Sequence, residues 1–235
     1  MSSFRSFGAA VGCLAALAAA ACEIETRDVK TVTRSVELDA AASVAVDLEM
    51  GAGELHVAGG SAKLMDASFR FNHPSWEPVV DYQSADGHAR LRVKQPDSSM
   101  SFGRTENSWD LRFNDALPID LTTHLGAGQA TIAAGTLNLR SLEIHHGAGE
   151  LDLDLRGAPR QSYDVRVNGG VGSARIRVPR SVAIVATATG GIGDINVSGL
   201  AQRGDSWYNP DHANDPVVIR LDVKGGVGEV RISAE

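Results

Sequence analysis

The chain has 235 residues, of which 43% are apolar, only 5% are aromatic and 25 are glycine. This length suffices for one elongated domain, and the scarcity of aromatic residues suits a thin core filled by aliphatic side chains. The formal net charge is −7 at pH 7 and the sequence contains no basic cluster, which excludes binding to nucleic acid or acidic lipid surfaces through bulk charge.

The N-terminal segment predicts a lipoprotein signal peptide over residues 1–21. One basic residue, Arg5, precedes an apolar stretch at 7–21 that is too short to span a bilayer as a mature helix. The small residues before Cys22 resemble the bacterial lipobox, so we expect Cys22 to carry the palmitate-containing lipid that anchors the protein to a membrane. An ordinary secretory signal peptide cut nearby is the alternative. Residues 22–35 predict a tether, and the folded part is expected in the cell envelope, at the outer membrane or on a periplasm-facing membrane surface.

Residues 36–235 predict a single all-β domain. Alternating apolar residues between 58 and 120 indicate a β-meander of longer strands, which we expect to cover one end of the domain. Residues 84–87, Ser-Ala-Asp-Gly, predict a hairpin turn within it. Residues 121–235 predict regular rungs, interrupted at 199–216 by an insertion rich in Gly, Asn and Pro that we interpret as a loop.

The motif Gly-x-Gly, followed by a polar residue and an alternating apolar pair, occurs six times. Its glycines are Gly51 and Gly53, Gly126 and Gly128, Gly147 and Gly149, Gly170 and Gly172, Gly191 and Gly193, and Gly226 and Gly228. The first glycines are separated by 75, 21, 23, 21 and 35 residues. A repeat of about 20–30 residues in which strands alternate with glycine turns is typical of a stacked β architecture. Each motif therefore predicts a structural turn between strands, where a Cβ would collide with the rung above.

Two further expectations concern the stack. The middle residue of the motif is Ala in three copies and Val or Ile in three, which predicts that it points inward. The rungs are expected to stack in sequence order, so that the final one, with Glu229, Arg231 and Glu235, closes the C-terminal end with charge. Because the meander would cover the other end, we predict a monomer.

Several spaced motifs resemble the bacterial toast-rack domain family. They are residues 51–55, residues 69–72 with Pro74 and Trp76, residues 114–121 before Gly126, and Tyr208-Asn209 before the final Gly-Gly-Val-Gly-Glu. The resemblance covers about residues 40–235 and implies a right-handed β-helix-like solenoid. The spacing of the motifs predicts rungs of 21–23 residues in its regular part. Such domains occur in membrane-anchored envelope proteins, including proteins that respond to cell-wall-active antibiotics, and most members have no assigned activity.

Histidines and carboxylates are the candidates for chemistry. His124 and His145 share one column and His146 follows, so we expect an exposed histidine stack; the column continues with Asn168, which leaves a metal site one ligand short. A glycan-cleaving β-helix would need paired carboxylates, for which the candidates are Asp152 with Asp154, or Glu150 with Asp194. Their spacing does not distinguish them from surface acids, and we predict no catalytic residue, metal or cofactor.

The 199–216 insertion holds the candidate partner-binding residues Trp207, Tyr208 and Asn209. Aromatic residues on a loop can bind a glycan or a protein, and they can equally pin a long loop to the coil. We expect a non-enzymatic envelope protein with a scaffold, binding or adhesin-like role toward a protein or glycan partner, in envelope stress for example. A glycan-active β-helix enzyme, a lyase or hydrolase, is the alternative.

Overall fold

The structure, a computed structural model, describes residues 28–96 and 105–235 and is all-β. Within these ranges there is no α-helix, and no helix is long and apolar enough to cross a membrane. Two short 3₁₀-helices, Pro74–Trp76 and Pro210–His212, accompany the strands. The strands are β1 Lys30–Val36, β2 Ser43–Ala58, β3 Met65–Phe71, β4 Val79–Ala85, β5 His88–Lys94, β6 Asn107–Phe113, β7 Ile119–Ala133, β8 Leu139–Asp154, β9 Tyr163–Val178, β10 Ala183–Ile192, β11 Ile195–Ser198, β12 Ala201–Arg203, β13 Ser206–Tyr208 and β14 Val218–Ala234.

The long strands lie side by side in parallel and form the body of the molecule. Their order is β2, β7, β8, β9, β14 and β10, and β11 continues the β10 rung beside β14. At one end β5 and β6 pair with β2, and at the other a hairpin of β12 and β13 lies antiparallel on β10. Within the described ranges the strands form one open path, with β1 at one end and β12 at the other.

The N-terminal strands cover the free edge of β2. The hairpin turn at 84–87 is confirmed, with Asp86 and Gly87 at φ values of 52° and 77° between β4 and β5. The meander is only partly antiparallel, because β5 and β6 pair in parallel with the two halves of β2 and so resemble a rung of their own. β1 pairs with β3, so the prediction of a tether needs correction over residues 30–35, which belong to the folded part.

Each long strand changes the face that it buries at its Gly-x-Gly motif. In β7, Leu121 and Leu125 are buried before the motif, whereas Ala130 and Ile132 are buried after it. Because side chains alternate along a strand, this shift from odd to even positions turns a corner while the hydrogen-bonded ladder continues. The expectation that the motifs lie between strands is therefore wrong: five lie inside β2, β7, β8, β9 and β14, and the sixth ends β10.

The middle residue of each motif lies on the outside of the corner, so the predicted inward orientation is wrong. Val171, Val227 and Ile192 leave 57%, 46% and 73% of their surface exposed. The inward position at the corner is the one before the motif. In the first three rungs it is occupied by buried side chains: Met50, Leu125 and His146.

Glycine columns let neighbouring rungs approach each other at the corner. A Cβ on Gly149 would collide with the carbonyl oxygen of Gly128, and Gly149 has a φ of +125°, which side chains rarely adopt. A Cβ on Gly147 would likewise collide with the carbonyl oxygen of Gly126. The corner thus depends on the absence of side chains at both glycine positions.

β14 lies between β9 and β10, so the rungs do not stack in sequence order. Val227 pairs with Val171 on one side and with Ile192 on the other. β14 keeps register with β9 from Ile219 to Ala234, whereas the β10 rung is interrupted after Ile192 and resumes only as the short β11. The complete strand occupies the interior, where both of its edges find partners, and the interrupted rung occupies the end.

Charges on the outer face favour the same order. Arg220 of β14 lies opposite Asp164 of β9, with Nη1 3.7 Å from Oδ1, and Asp222 lies opposite Arg166. In β10 the residue in register with Arg220 is Val185, which offers Asp164 no partner. The expectation that the final rung of the sequence closes the C-terminal end is therefore wrong.

Candidate interaction surface

The 199–216 segment is a folded cap and not a plain loop. It forms the β12–β13 hairpin and the 3₁₀-helix Pro210–His212. Asn209, only 3% exposed, donates from Nδ2 to the carbonyl oxygens of Arg180 at 2.8 Å and Val182 at 3.0 Å. Its Oδ1 accepts from the backbone N–H of Asp211 at 3.3 Å and so caps the short helix. The side-chain amide of Asn209 therefore makes its hydrogen bonds within the fold.

Trp207 and Tyr208 also make contacts within the chain. Trp207 lies opposite Ala186 of β10 and packs, partly buried, against the core. The guanidinium carbon of Arg203 lies 4.6 Å from the centroid of the half-buried Tyr208 ring, as in a cation–π contact. These contacts agree with the alternative in which the aromatic residues pin the segment to the coil, and a partner-binding role for them stays a prediction.

His124 and His145 stack on the outward face, as the sequence indicates. Their ring centroids lie 4.6 Å apart with planes 1° from parallel. Nε2 of His145 lies 2.9 Å from Oε1 of Glu143, and Nε2 of His124 lies 3.9 Å from Oδ1 of Asp47. The pair lines an open groove of about 770 Å³ together with Asn168. No group of three His, Cys, Asp or Glu in the described ranges could hold a metal ion.

His146 points inward, so its prediction as an exposed residue is wrong. It is 6% exposed, and neither ring nitrogen has a hydrogen-bond partner of acceptable geometry in the described part of the chain. Burial lowers the pKa of His146 below its ordinary value, although the nearby backbone of Ala148 opposes the shift. The side chain lines a cavity of about 40 Å³ inside the corner, together with Leu151 and Ala174.

The outside of the corner carries an apolar surface that was not predicted from the sequence. We call it the corner ridge: Val171, Val227 and Ile192, adjacent on β9, β14 and β10 and all exposed. A signal was present in the sequence, because the residue before the motif changes to Gly wherever the middle residue changes from Ala to Val or Ile. Each rung thus has its large side chain at the corner either inside, before the motif, or outside, in the middle of the motif.

The two carboxylate pairs considered for glycan cleavage differ in their surroundings. Arg177 donates to both Asp152 and Asp154. Hydrogen bonds from Arg156, and then from Arg177, lower the pKa of Asp154 to about 2, so this group is held ionised and cannot serve as a general acid near neutral pH. Glu150 and Asp194 are separated by three strand spacings, about 14 Å. Catalytic pairs in most glycosidases lie about 5–10 Å apart.

Among solved structures, the chain is similar to a protein described as a "putative cell adhesion protein" from Clostridium sporogenes. The two share 26% identity with a TM-score of 0.85, and the match covers 88% of this chain and 100% of that one. A "putative adhesin" from Bacteroides fragilis matches at 11% identity and a TM-score of 0.27, over 86% of this chain and 97% of that one. No curated protein sequence matches the chain.

The family described as the N-terminal domain of toast_rack, DUF2154, matches residues 25–177. This range contains the N-terminal strands, four of the six Gly-x-Gly motifs and the rungs from β2 to most of β9. The resemblance noted from the spaced motifs is confirmed, and the chain belongs to the toast-rack N-terminal domain family.

Proposed function

We propose that the protein is a lipid-anchored, non-enzymatic component of the cell envelope with an adhesin-like, partner-binding role. The observation that carries the proposal is the likeness to the Clostridium sporogenes protein over 88% of this chain, at a TM-score of 0.85. At 26% identity, that protein's assignment to cell adhesion is a guide to the class of function.

The chemistry of the described surface supports a binding role over a catalytic one. Asp152 and Asp154 are tied to Arg177, and Asp154 is kept ionised. A rigid stack of parallel strands presents its outward columns at fixed spacings, which suits recognition of an extended partner.

The finer architecture belongs to the same proposal. We take each offset of 21–23 residues between neighbouring motifs as one coil of a right-handed β-helix-like solenoid, because parallel strands in one sheet are almost always connected with a right-handed crossover. Cys22 would hold the N-terminal end at the membrane through its lipid, and the domain would act as a monomer.

The proposal is tested by palmitate labelling and fractionation of cells that express the wild-type chain or Cys22→Ala. The wild-type chain should incorporate label and sediment with the envelope, whereas Cys22→Ala should lose the label and leave the membrane fraction. Cys13→Ala is the matched control and should behave as wild type. Equal labelling of wild type and Cys22→Ala, or recovery of the wild-type chain outside the envelope, would overturn the assignment.

A further inference from the structure

Halfway along the stack, the large side chain at the corner moves from the inward to the outward position. In the first three rungs the inward position holds Met50, Leu125 and His146, and the outward position holds Ala52, Ala127 and Ala148. In the next three the inward position holds Gly169, Gly225 and Gly190, and the outward position holds the corner ridge residues Val171, Val227 and Ile192. Aliphatic bulk is therefore moved from the inside of the corner to its outside.

Crowding inside the corner does not force this change at the transition, although a Cβ on Gly225, one rung further, would lie 3.3 Å from Val230 Cγ2. Buried aliphatic surface is favourable and exposed aliphatic surface is not, so the first pattern is the better one for folding. Space remains inside at the transition, because a Cβ added to Gly169 would meet nothing nearer than the Lys224 carbonyl oxygen at 3.8 Å. A contiguous exposed aliphatic surface that the fold does not require is typical of an interaction site.

A half-open pocket beside the corner ridge gives a second, independent observation. The 40 Å³ cavity lies there, lined by His146 and by all three residues of the ridge. His146 is more than nine-tenths buried and both of its ring nitrogens lack a partner in the described ranges. Buried polar groups are nearly always satisfied, so the unpartnered imidazole at this pocket is a second observation that points to a binding site at the corner.

Carboxylates line one side of the corner ridge. They belong to Glu150, Glu229 and Asp194, each on the outward face directly after its motif. Glu229 pairs with Arg231 at 2.6 Å, but no cation of the described ranges lies within ion-pair distance of Glu150 or Asp194. On the other side Lys224, with its side chain 64% exposed, lies 3.4 Å from Asp222. The ridge is therefore flanked by uncompensated negative charge on one side only.

We propose that the corner ridge, with Glu150 and Asp194 beside it, binds a basic amphipathic segment of a partner protein. Aliphatic side chains of that segment pack on Val171, Val227 and Ile192, and its lysine or arginine side chains pair with the two free carboxylates. This inference rests on the proposed partner-binding function and names the surface and the chemistry of the partner. A second copy of the chain and an anionic lipid surface fit less well, because the chain carries a net charge of −7 and would be repelled by either.

The probe is a fluorescein-labelled peptide in which leucine and lysine alternate so that a helix would be amphipathic. Its binding to the purified domain is measured by fluorescence anisotropy at low and high salt. A peptide with glutamate in place of lysine is the matched probe. The ridge variant combines Val171→Thr, Val227→Thr and Ile192→Thr, which keep the β-branched shape and should keep the fold. The control is Val185→Thr, because Val185 is also exposed, at 44%, but lies on the face of β10 away from the corner.

The ridge variant should bind the lysine peptide about tenfold more weakly, which corresponds to the loss of a few aliphatic contacts. Val185→Thr should bind as wild type, and Glu150→Gln with Asp194→Asn should weaken binding and reduce its salt dependence. Equal affinity for the glutamate peptide, or equal loss in Val185→Thr and the ridge variant, would overturn the proposal. So would ridge-dependent dimerisation in sedimentation runs, or ridge-dependent binding to phosphatidylglycerol vesicles. These measurements use the isolated domain, so their outcome does not depend on whether Cys22 is lipidated in cells.

Discussion

At the scale of single residues, one methyl group decides whether two rungs can approach at the corner. Gly149→Val places a Cβ against the Gly128 carbonyl oxygen and a β-branched residue at a φ of +125°. We expect a loss of about 3–4 kcal/mol in the free energy of unfolding, measured by urea denaturation. The control is Ala148→Val on the outside of the same corner, where Val171 already occupies the next rung, and it should be close to neutral. An unchanged midpoint for Gly149→Val would contradict the role given to the glycine columns.

The buried imidazole of His146 should make the stability of the fold depend on pH. Its pKa is lowered in the folded chain because burial disfavours the charged form, from an ordinary value of 6.5 in the unfolded chain. The unfolded chain therefore binds more protons just below pH 6.5, and the free energy of unfolding falls as the pH falls through this region. His146→Leu copies Leu125 of the neighbouring rung and removes an unsatisfied polar group, so it should stabilise the fold by about 1–3 kcal/mol at pH 6.

The measurement is the unfolding midpoint of wild type and His146→Leu between pH 8 and pH 5. The slope in this range should be smaller in His146→Leu than in wild type. An identical slope in wild type and His146→Leu would show that the buried imidazole is not the group responsible.

At the scale of elements, the most specific feature of the fold is that β14 lies between β9 and β10. Ser173 and Glu229 are in register on adjacent strands, at a separation of about 4.8 Å that a disulfide can bridge. In a chain without Cys13 and Cys22, Ser173→Cys with Glu229→Cys should form a disulfide under mild oxidation. The control pair, Ser173→Cys with Asp194→Cys, should not, because β14 lies between these residues. A disulfide in the control pair and none in the first pair, seen as a gel shift, would instead support rungs that stack in sequence order.

The β12–β13 hairpin gives a second prediction at this scale. Asn209→Ala removes the two hydrogen bonds that the Asn209 amide donates to the carbonyl oxygens of Arg180 and Val182. We expect a loss of about 2–3 kcal/mol in stability and faster hydrogen exchange in β10 and β13. Tyr208→Phe, which keeps the ring against Arg203, is the control and should cost much less. Hydrogen-exchange rates in Asn209→Ala equal to those of wild type would contradict the structural role of the Asn209 amide.

Periodicity alone predicted the rungs but not their order. Apolar pairs such as Ala130 and Ile132 identify each half-strand, and the turn at 84–87 follows from its residue types. β9, β10 and β14 carry the same local pattern, so that pattern cannot tell which of them are neighbours. The alternation of charge at Asp164 and Arg166 against Arg220 and Asp222 could have distinguished them, because these pairs match only if β14 lies beside β9.

At the scale of the whole molecule, the candidate site escaped the sequence because its orientation depends on the corner. A constant alternation carried through the motif places Val171 and Ile192 inside, and the change of phase at the glycines places them outside. The burial of His146 needs no change of phase, because His146 continues the buried alternation of Leu142 and Ile144 before the motif. The lipid attachment at Cys22 lies outside the described residues and stays a prediction.

The central claim, that the protein works by binding a basic amphipathic partner at the corner ridge, is tested most directly in cells. A photoreactive residue is placed at position 192 of the full-length chain expressed in cells, and at position 185 as the exposed control on the same strand. We expect a covalent adduct at 192 but not at 185, with the crosslinked peptide carrying lysine or arginine beside aliphatic residues. We also expect that Glu150→Gln with Asp194→Asn reduces the yield. Equal adducts at the two positions, or adducts at 192 only with lipid or with a second copy of the chain, would contradict the claim.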